Sequence, residues 1–164
     1  MQLTGRQIVE EGIIINYCQE GIQQAGIDLR LARVNKLEGS GFVPQQGKTT
    51  LPSYPEVKPV DGIWYLDPGY YEITFLEGCK MPNNRAMTFV QRSSLLRCGA
   101  IVRSSQFDPG FETECMGTFM QVFHPIKIEV GARVCQTLVM ETAEVAEQDM
   151  YNGQWQGDNQ RKNQ

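Results

Sequence analysis

Only one histidine, His124, stands among the 164 residues, so a Ser-His-Asp triad or a multi-histidine metal site has almost nothing to be built from. The five cysteines, Cys18, Cys79, Cys98, Cys115 and Cys135, are odd in number and none has C-x-x-C spacing. That excludes the common cysteine metal and redox patterns and reads as buried, reduced thiols. No aliphatic run exceeds Ile13-Ile14-Ile15, far short of the roughly 20 residues that span a bilayer, and no apolar h-region follows Met1. A soluble, cytoplasmic protein without a membrane partner is expected. Positive charge is short as well: 15 Lys and Arg against 19 Asp and Glu leave a net charge of −4. No global field gathers nucleic acid, and any phosphate has to be held by a local site. Internal repeats and low-complexity tracts are absent.

What remains is an ordinary globular composition, 41% hydrophobic and 21% charged, at a length that favours one domain. Thr4 precedes Gln7 at capping-box spacing, with Ile8 and Val9 following before Gly12, which predicts one short N-terminal helix. The period then changes. Ile27, Leu29 and Leu31 alternate with Asp28, Arg30 and Ala32, the pattern of a half-buried strand. Tyr71, Ile73 and Phe75 alternate with Glu72 and Thr74, Met87 with Phe89 continues the theme, and Ile126, Ile128 and Val130 alternate with Lys127 and Glu129. No long 3.6-residue apolar period occurs after Gly21, which disfavours βαβ units; the fold class is mostly β. Residues 37–62 hold Pro44, Pro52, Pro55 and Pro59 together with Gly39, Gly41 and Gly47 and read as a surface excursion, packed on the barrel or on a neighbour, or simply mobile. The division expected is a single β domain over 1–147 and a polar tail over 148–164. Carrying Tyr151 and Trp155, that tail is either a disordered end or a lid that orders on a ligand.

Three segments can carry chemistry. In Gln91-Arg92-Ser93-Ser94-Leu95-Leu96-Arg97-Cys98-Gly99, Ser93 or Ser94 can cap a short helix ended by Gly99, gathering backbone N–H groups, two hydroxyls and Arg92, with Arg97 a turn away. That is either an anion site or a plain capped turn. In Phe107-Asp108-Pro109-Gly110-Phe111 the Pro-Gly pair marks a type II turn, and Asp108 either starts that turn or serves as a general base. Asp67-Pro68-Gly69-Tyr70 repeats the local pattern, so the pattern alone does not decide. In Gly131-Ala132-Arg133-Val134-Cys135-Gln136, a tight turn enters a strand whose Gln136 needs partners if buried and is otherwise an exposed strand residue.

In this order, and together with Gly26-Ile27-Asp28-Leu29-Arg30-Leu31 and Tyr151-Asn152-Gly153-Gln154-Trp155-Gln156-Gly157, the segments resemble the superfamily of trimeric dUTP nucleotidohydrolases (dUTPases) and dCTP deaminases. The resemblance spans nearly the whole chain, and its start and tail are closer to the deaminases and the archaeal-type enzymes related to them. It implies a distorted antiparallel β-barrel of jelly-roll type, a homotrimer, and active sites assembled between subunits. Deaminases are similar to one another in carrying a glutamate ten residues after the motif aspartate, where it moves protons to the ring. Counting from Asp108, Thr118 stands there, and a hydroxyl does not shuttle protons as a carboxylate does. The preceding hairpin is also shorter than is usual for deaminases.

Hydrolysis of dUTP to dUMP and pyrophosphate is therefore the reading the resemblance implies, a reaction that clears dUTP and supplies a dTTP precursor. On it Asp108 activates the water. Arg92, Ser93 and Ser94 hold the phosphates, with Gln136 from another subunit. Mg²⁺ rides mainly on the triphosphate, and Asp28 touches it through water. The hairpin Ser104, Ser105, Gln106 and Phe107 reads the uracil edge with backbone groups, and Phe111 packs against the deoxyribose. Tyr151, Trp155 and Gln156 belong to a lid that replaces the glycine-rich closing motif of other dUTPases. The alternatives are a dCTP deaminase or bifunctional enzyme, hydrolysis of dCTP, and a trimer that binds nucleotides without turning them over.

Overall fold

The computed structural model describes residues 1–157; the last seven residues of the expected tail lie outside it. The capping box forms as its spacing requires: Gln7 N donates to Thr4 Oγ1 at 3.3 Å and Thr4 N donates to Gln7 Oε1 at 3.0 Å, starting helix α1 at Gly5–Glu10. Leu3 before the cap and Ile8 inside the helix are both buried in the core and pin the entry of the chain.

Strands follow: β1 (Ile14–Ile15), β2 (Ile22–Gln23), β3 (Gly26–Lys36), β4 (Ile63–Leu66), β5 (Gly69–Phe75), β6 (Gly78–Lys80) and β7 (Arg85–Gln91). After the short helix α2 (Ser93–Arg97) come β8 (Ala100–Arg103), β9 (Glu112–Thr113), β10 (Gly117–Val122), β11 (Ile126–Glu129) and β12 (Arg133–Glu141). The main sheet runs β7-β12-β3-β5-β10-β8 with β2 added on β3; β1-β6-β9 and β11-β4 form two smaller sheets. Every strand pairing among the described residues is antiparallel. The ends of the main sheet then meet. Met87 of β7 and Phe107, beyond β8, exchange two backbone bonds of 3.0 and 2.7 Å, and Phe89 N donates to Ser104 Oγ at 3.2 Å. This seam leaves the sheet a nearly closed barrel and protects its two edges.

Alternation places Ile27, Leu29, Leu31, Ile73, Phe75 and Met87 in one core, each completely buried. Two strands are less half-buried than their alternation predicts. Asp28 on β3 is 2% exposed and Glu72 on β5 is 5% exposed, because the sheet's second face is covered at both places. The excursion after β3 packs on the barrel. Lys36 N donates to Pro55 O, Val57 N to Val34 O, and the Asn35 side chain to Tyr54 O, so residues 53–57 line the second half of β3. The Trp64 indole N–H, donated to Val57 O, ties the far end down.

Of the cysteines, all free, only Cys79 and Cys135 are buried; Cys98 is exposed. Burial pushes the Cys79 thiol up to about 12. Among the described residues no helix is long and apolar enough to cross a membrane.

Candidate active site

The residues singled out in the sequence fall into two separate groups. The first surrounds Asp28. Its Oδ2 lies 3.2 Å from Arg92 Nε and 3.5 Å from Arg133 Nη1, and its Oδ1 accepts from Gln136 Nε2 at 3.3 Å. Strand pairing makes this meeting: β12 sets Gln136 opposite Asp28 on one side and opposite Val90 on the other. Arg92 follows directly after β7. Its backbone N–H donates to Val134 O and its guanidinium to Arg133 O. Burial pushes the Asp28 carboxyl up, opposed by the charges of Arg92 and Arg133 and by the Gln136 bond. Gln136, expected from a different subunit than Arg92, is thus joined to it within one chain.

The cap of α2 also differs from the expected one. Arg92, not a serine, is the N-cap, and it makes no side-chain capping bond; Ser93 and Ser94 are the first two helical residues and both are exposed. The hydroxyls are therefore not spent on the backbone and face outward beside Arg92. Arg97 is exposed at the helix's last position, and Gly99 follows with φ +87°.

The second group lines a cavity of about 610 Å³, within the range of small-molecule sites. Ser104, Ser105, Gln106, Phe107, Asp108 and Phe111 form one wall, joined by Tyr151 and Trp155. Asp108 opens the expected turn: Phe111 N donates to Asp108 O at 3.1 Å across Gly110, whose φ is +88°. Its carboxylate accepts from Gln106 Nε2 at 3.0 Å and faces the cavity. Phe89, Phe107, Phe111 and Tyr151 form a chain of ring contacts with centroids 4.8 to 5.5 Å apart. The tail is fastened to the turn. Tyr151 N donates to Pro109 O at 2.8 Å, and Gln156 donates to Gly110 O and accepts from Glu112 N.

Asp28, Arg92, Ser93, Ser94 and Gln136 do not line this cavity. Thr118 does; it is buried and its hydroxyl donates to Arg103 O at 2.6 Å. Glu112 and Glu114 are exposed and line no part of it.

Sequence reasoning missed the opposite wall: Leu51 and Tyr54 from the excursion, Tyr70 and Glu72 from β5, and Phe119 from β10. The one signal for it was an aromatic, Tyr54, inside a proline-rich polar stretch. Arg133 was noted without a role and proves to be the second cation on Asp28.

Residues 2–142 match the dCTP deaminase-like family. The chain belongs to that family. It is 39% identical to the deoxyuridine 5'-triphosphate nucleotidohydrolase of Methanocaldococcus jannaschii over 145 residues, covering 87% of this chain and 91% of that protein. With a probable deoxyuridine 5'-triphosphate nucleotidohydrolase of Aeropyrum pernix the identity is 30% over 159 residues, 96% of this chain and 99% of that one. The fold of this dCTP deaminase-like chain is similar to the crystal structure of 2'-deoxycytidine 5'-triphosphate deaminase from Agrobacterium tumefaciens, with a TM-score of 0.65 and 15% identity over 87% of this chain. It spans 49% of that longer chain.

The described residues do not offer a protein-held metal a set of ligands. The described residues contain no group of three His, Cys, Asp or Glu that could hold an ion, and Asp28, the expected outer contact, already faces two guanidinium groups. A cation approaching Asp28 meets two positive charges first.

Proposed function

We propose that this chain is a dUTP diphosphatase, hydrolysing dUTP to dUMP and pyrophosphate at sites shared between the subunits of a homotrimer. The observation that carries the reading is the cavity wall with Asp108 present and Thr118 in the place of a deaminase glutamate. Relatives named as dUTP nucleotidohydrolases, similar over most of their length, support it. The separation of the two residue groups supports the shared site: Asp108 and the nucleoside wall come from one subunit, and Arg92, Ser93, Ser94 and Gln136 come from a neighbour.

In the reaction a water oxygen attacks the α-phosphorus and Asp108 accepts its proton. The bond to the α,β-bridging oxygen breaks and pyrophosphate leaves. Arg92 neutralises phosphate charge as a planar fork held in place by Asp28 and Arg133 O, while the outward hydroxyls of Ser93 and Ser94 donate to phosphate oxygens. Phe111 supports the deoxyribose, and the Ser104 to Phe107 segment flanks the base. Tyr151 and Trp155 keep water from the far side, with Gln156 latching the tail. Mg²⁺ accompanies the triphosphate as its counter-ion; no residue of the chain is assigned to it.

The test is incubation of the purified protein with dUTP and, separately, dCTP, with and without Mg²⁺, with products separated by ion-exchange chromatography. The expected products are dUMP and pyrophosphate from dUTP. Ammonia released from dCTP overturns the argument from Thr118, and a stable monomer that hydrolyses dUTP overturns the shared site.

A further inference from the structure

One completely buried carboxylate has no task in the reaction as described. Glu77, in the turn between β5 and β6, is 0% exposed. One of its oxygens accepts from the Arg30 backbone N–H at 2.9 Å and the other from Arg30 Nε at 2.6 Å. Arg30 stands two residues after Asp28 on β3, so both side chains leave the same face. Strand β12 sets Arg133 directly opposite Arg30 and Gln136 directly opposite Asp28. Three guanidinium groups and two buried carboxylates therefore meet beside the phosphate-binding group, with Arg30 on Glu77 and both Arg92 and Arg133 on Asp28.

Spacing alone does not dictate this sharing of charges. Neighbours on one face of a strand lie about 7 Å apart, within the reach of an arginine. Arg133 shows that reach: from its place across from Arg30 it comes to 3.5 Å from Asp28 Oδ2. Arg30 is drawn the other way, with Nε on Glu77 and Nη2 donating to Asn16 O at 2.5 Å, in the same loop whose Glu20 carbonyl accepts from Arg133. Like charges set directly across a strand pair repel. A carboxylate for each, Glu77 for Arg30 and Asp28 for Arg133, removes the conflict. An Arg30 released from Glu77 has Asp28 two residues away on its own face, and Asp28 is what holds Arg92.

Resting on the diphosphatase reading, we infer that Glu77 is a positioning residue: by holding Arg30 it reserves Asp28 for Arg92 and keeps the Arg92 guanidinium aimed at the phosphates. Glu77 touches no substrate atom and acts through Arg30 and Asp28. A buried ion pair is often no more stabilising than apolar residues of the same volume, whereas one partner left alone is costly. The pair is thus separable from the site it serves. Neutralising Glu77 alone frees a competing cation, and removing Arg30 as well takes the competitor away.

The experiment measures kcat/KM for dUTP in wild type, Glu77→Gln and Glu77→Gln/Arg30→Met, with cooperative thermal unfolding as the check on folding. Glutamine keeps the shape and an acceptor for the Arg30 backbone N–H but not the charge. Glu77→Gln is expected to lose at least about tenfold, within the span of couplings inside one charge network, and the double variant to recover to within about threefold of wild type. A role in stability alone gives no such recovery. Unchanged kcat/KM in folded Glu77→Gln overturns the inference, and so does a folded double variant as impaired as the single one. Where Glu77→Gln does not fold, Glu77→Asp, which draws the carboxylate back by one methylene, takes its place with and without Arg30→Met, and the same two outcomes decide. A wild type inert towards dUTP overturns the diphosphatase reading instead. Crystal structures of wild type and of the folded Glu77 variant then decide Glu77 separately. Arg30 on Asp28 with Arg92 displaced is expected; Arg92 still on Asp28, or Arg30 turned to the exposed Glu20, overturns the inference.

Discussion

Two turns in this chain are spelled almost alike, Asp67-Pro68-Gly69-Tyr70 and Asp108-Pro109-Gly110-Phe111, and they become different objects. At the first, Gly69 stays out of the left-handed region and begins β5 at once, while the exposed Asp67 offers only its carbonyl, to the Tyr71 hydroxyl at 2.8 Å. At the second, Gly110 adopts φ +88°, the turn closes on itself, and the tail packs over it. A Cβ on Gly110 would come within 2.7 Å of Met150 Cβ, whereas one on Gly69 would meet only the Tyr71 ring at 3.3 Å. The four letters therefore set which turns are possible. What selects between them is distant: the strand pairing of β5 in one case, and Met81, Tyr151 and Gln156 in the other.

The sharpest way to break this comparison is to neutralise both aspartates. Asp108→Asn is expected to lower kcat for dUTP by about 10²- to 10⁴-fold, the range of a positioned general base, and Asp67→Asn to leave it within about twofold. Equal losses in steady-state assays would show that the cavity gives Asp108 no special task. Next come the glycines. Gly110→Ala is expected to cost about 1 to 3 kcal/mol in urea unfolding, from the left-handed backbone and the crowding at Met150. Gly69→Ala is expected to cost less than about 1 kcal/mol, because the ring it touches has room to give and Ala suits a strand better than Gly. Smallest are the partner deletions, each worth about 1 kcal/mol of stability. Tyr71→Phe frees the Asp67 carbonyl and leaves KM unchanged. Gln156→Ala releases the tail from Gly110 and Glu112 and is expected to raise KM for dUTP by roughly the factor of 5 that 1 kcal/mol represents.

Legibility in the sequence followed the range of the interaction. The capping box of Thr4 and Gln7 and the turn at Gly110 are settled within a few residues, and both formed as their spacing predicts. Alternation located β3, β5, β7 and β11, since a period of two says which residues share a face. It does not say whether the other face meets water. Asp28 and Glu72 both stand on faces that a solvent-exposed strand would leave open, and each is buried by groups far away in sequence. Arg92 and Arg133 cover the first, and the second sits in the cavity wall with Tyr54, Tyr70 and Phe119. The cap of α2 was misplaced for a related reason: Arg92 is held by Val134 and Asp28, so the helix begins where those contacts fix it rather than where a serine side chain offers one.

The seam between Met87 and Phe107 carries a consequence for how such an enzyme changes over generations. Ser104 and Phe107, which close the barrel from one side, also belong to the hairpin wall of the cavity. A substitution there that alters substrate preference also loosens the barrel, so that wall is a poor place for selection to experiment. The excursion has no such double duty: Leu51 and Tyr54 reach the cavity from a stretch laid on the outside of β3. Change around the cavity is freer in that roof, where side chains can be replaced without opening the barrel.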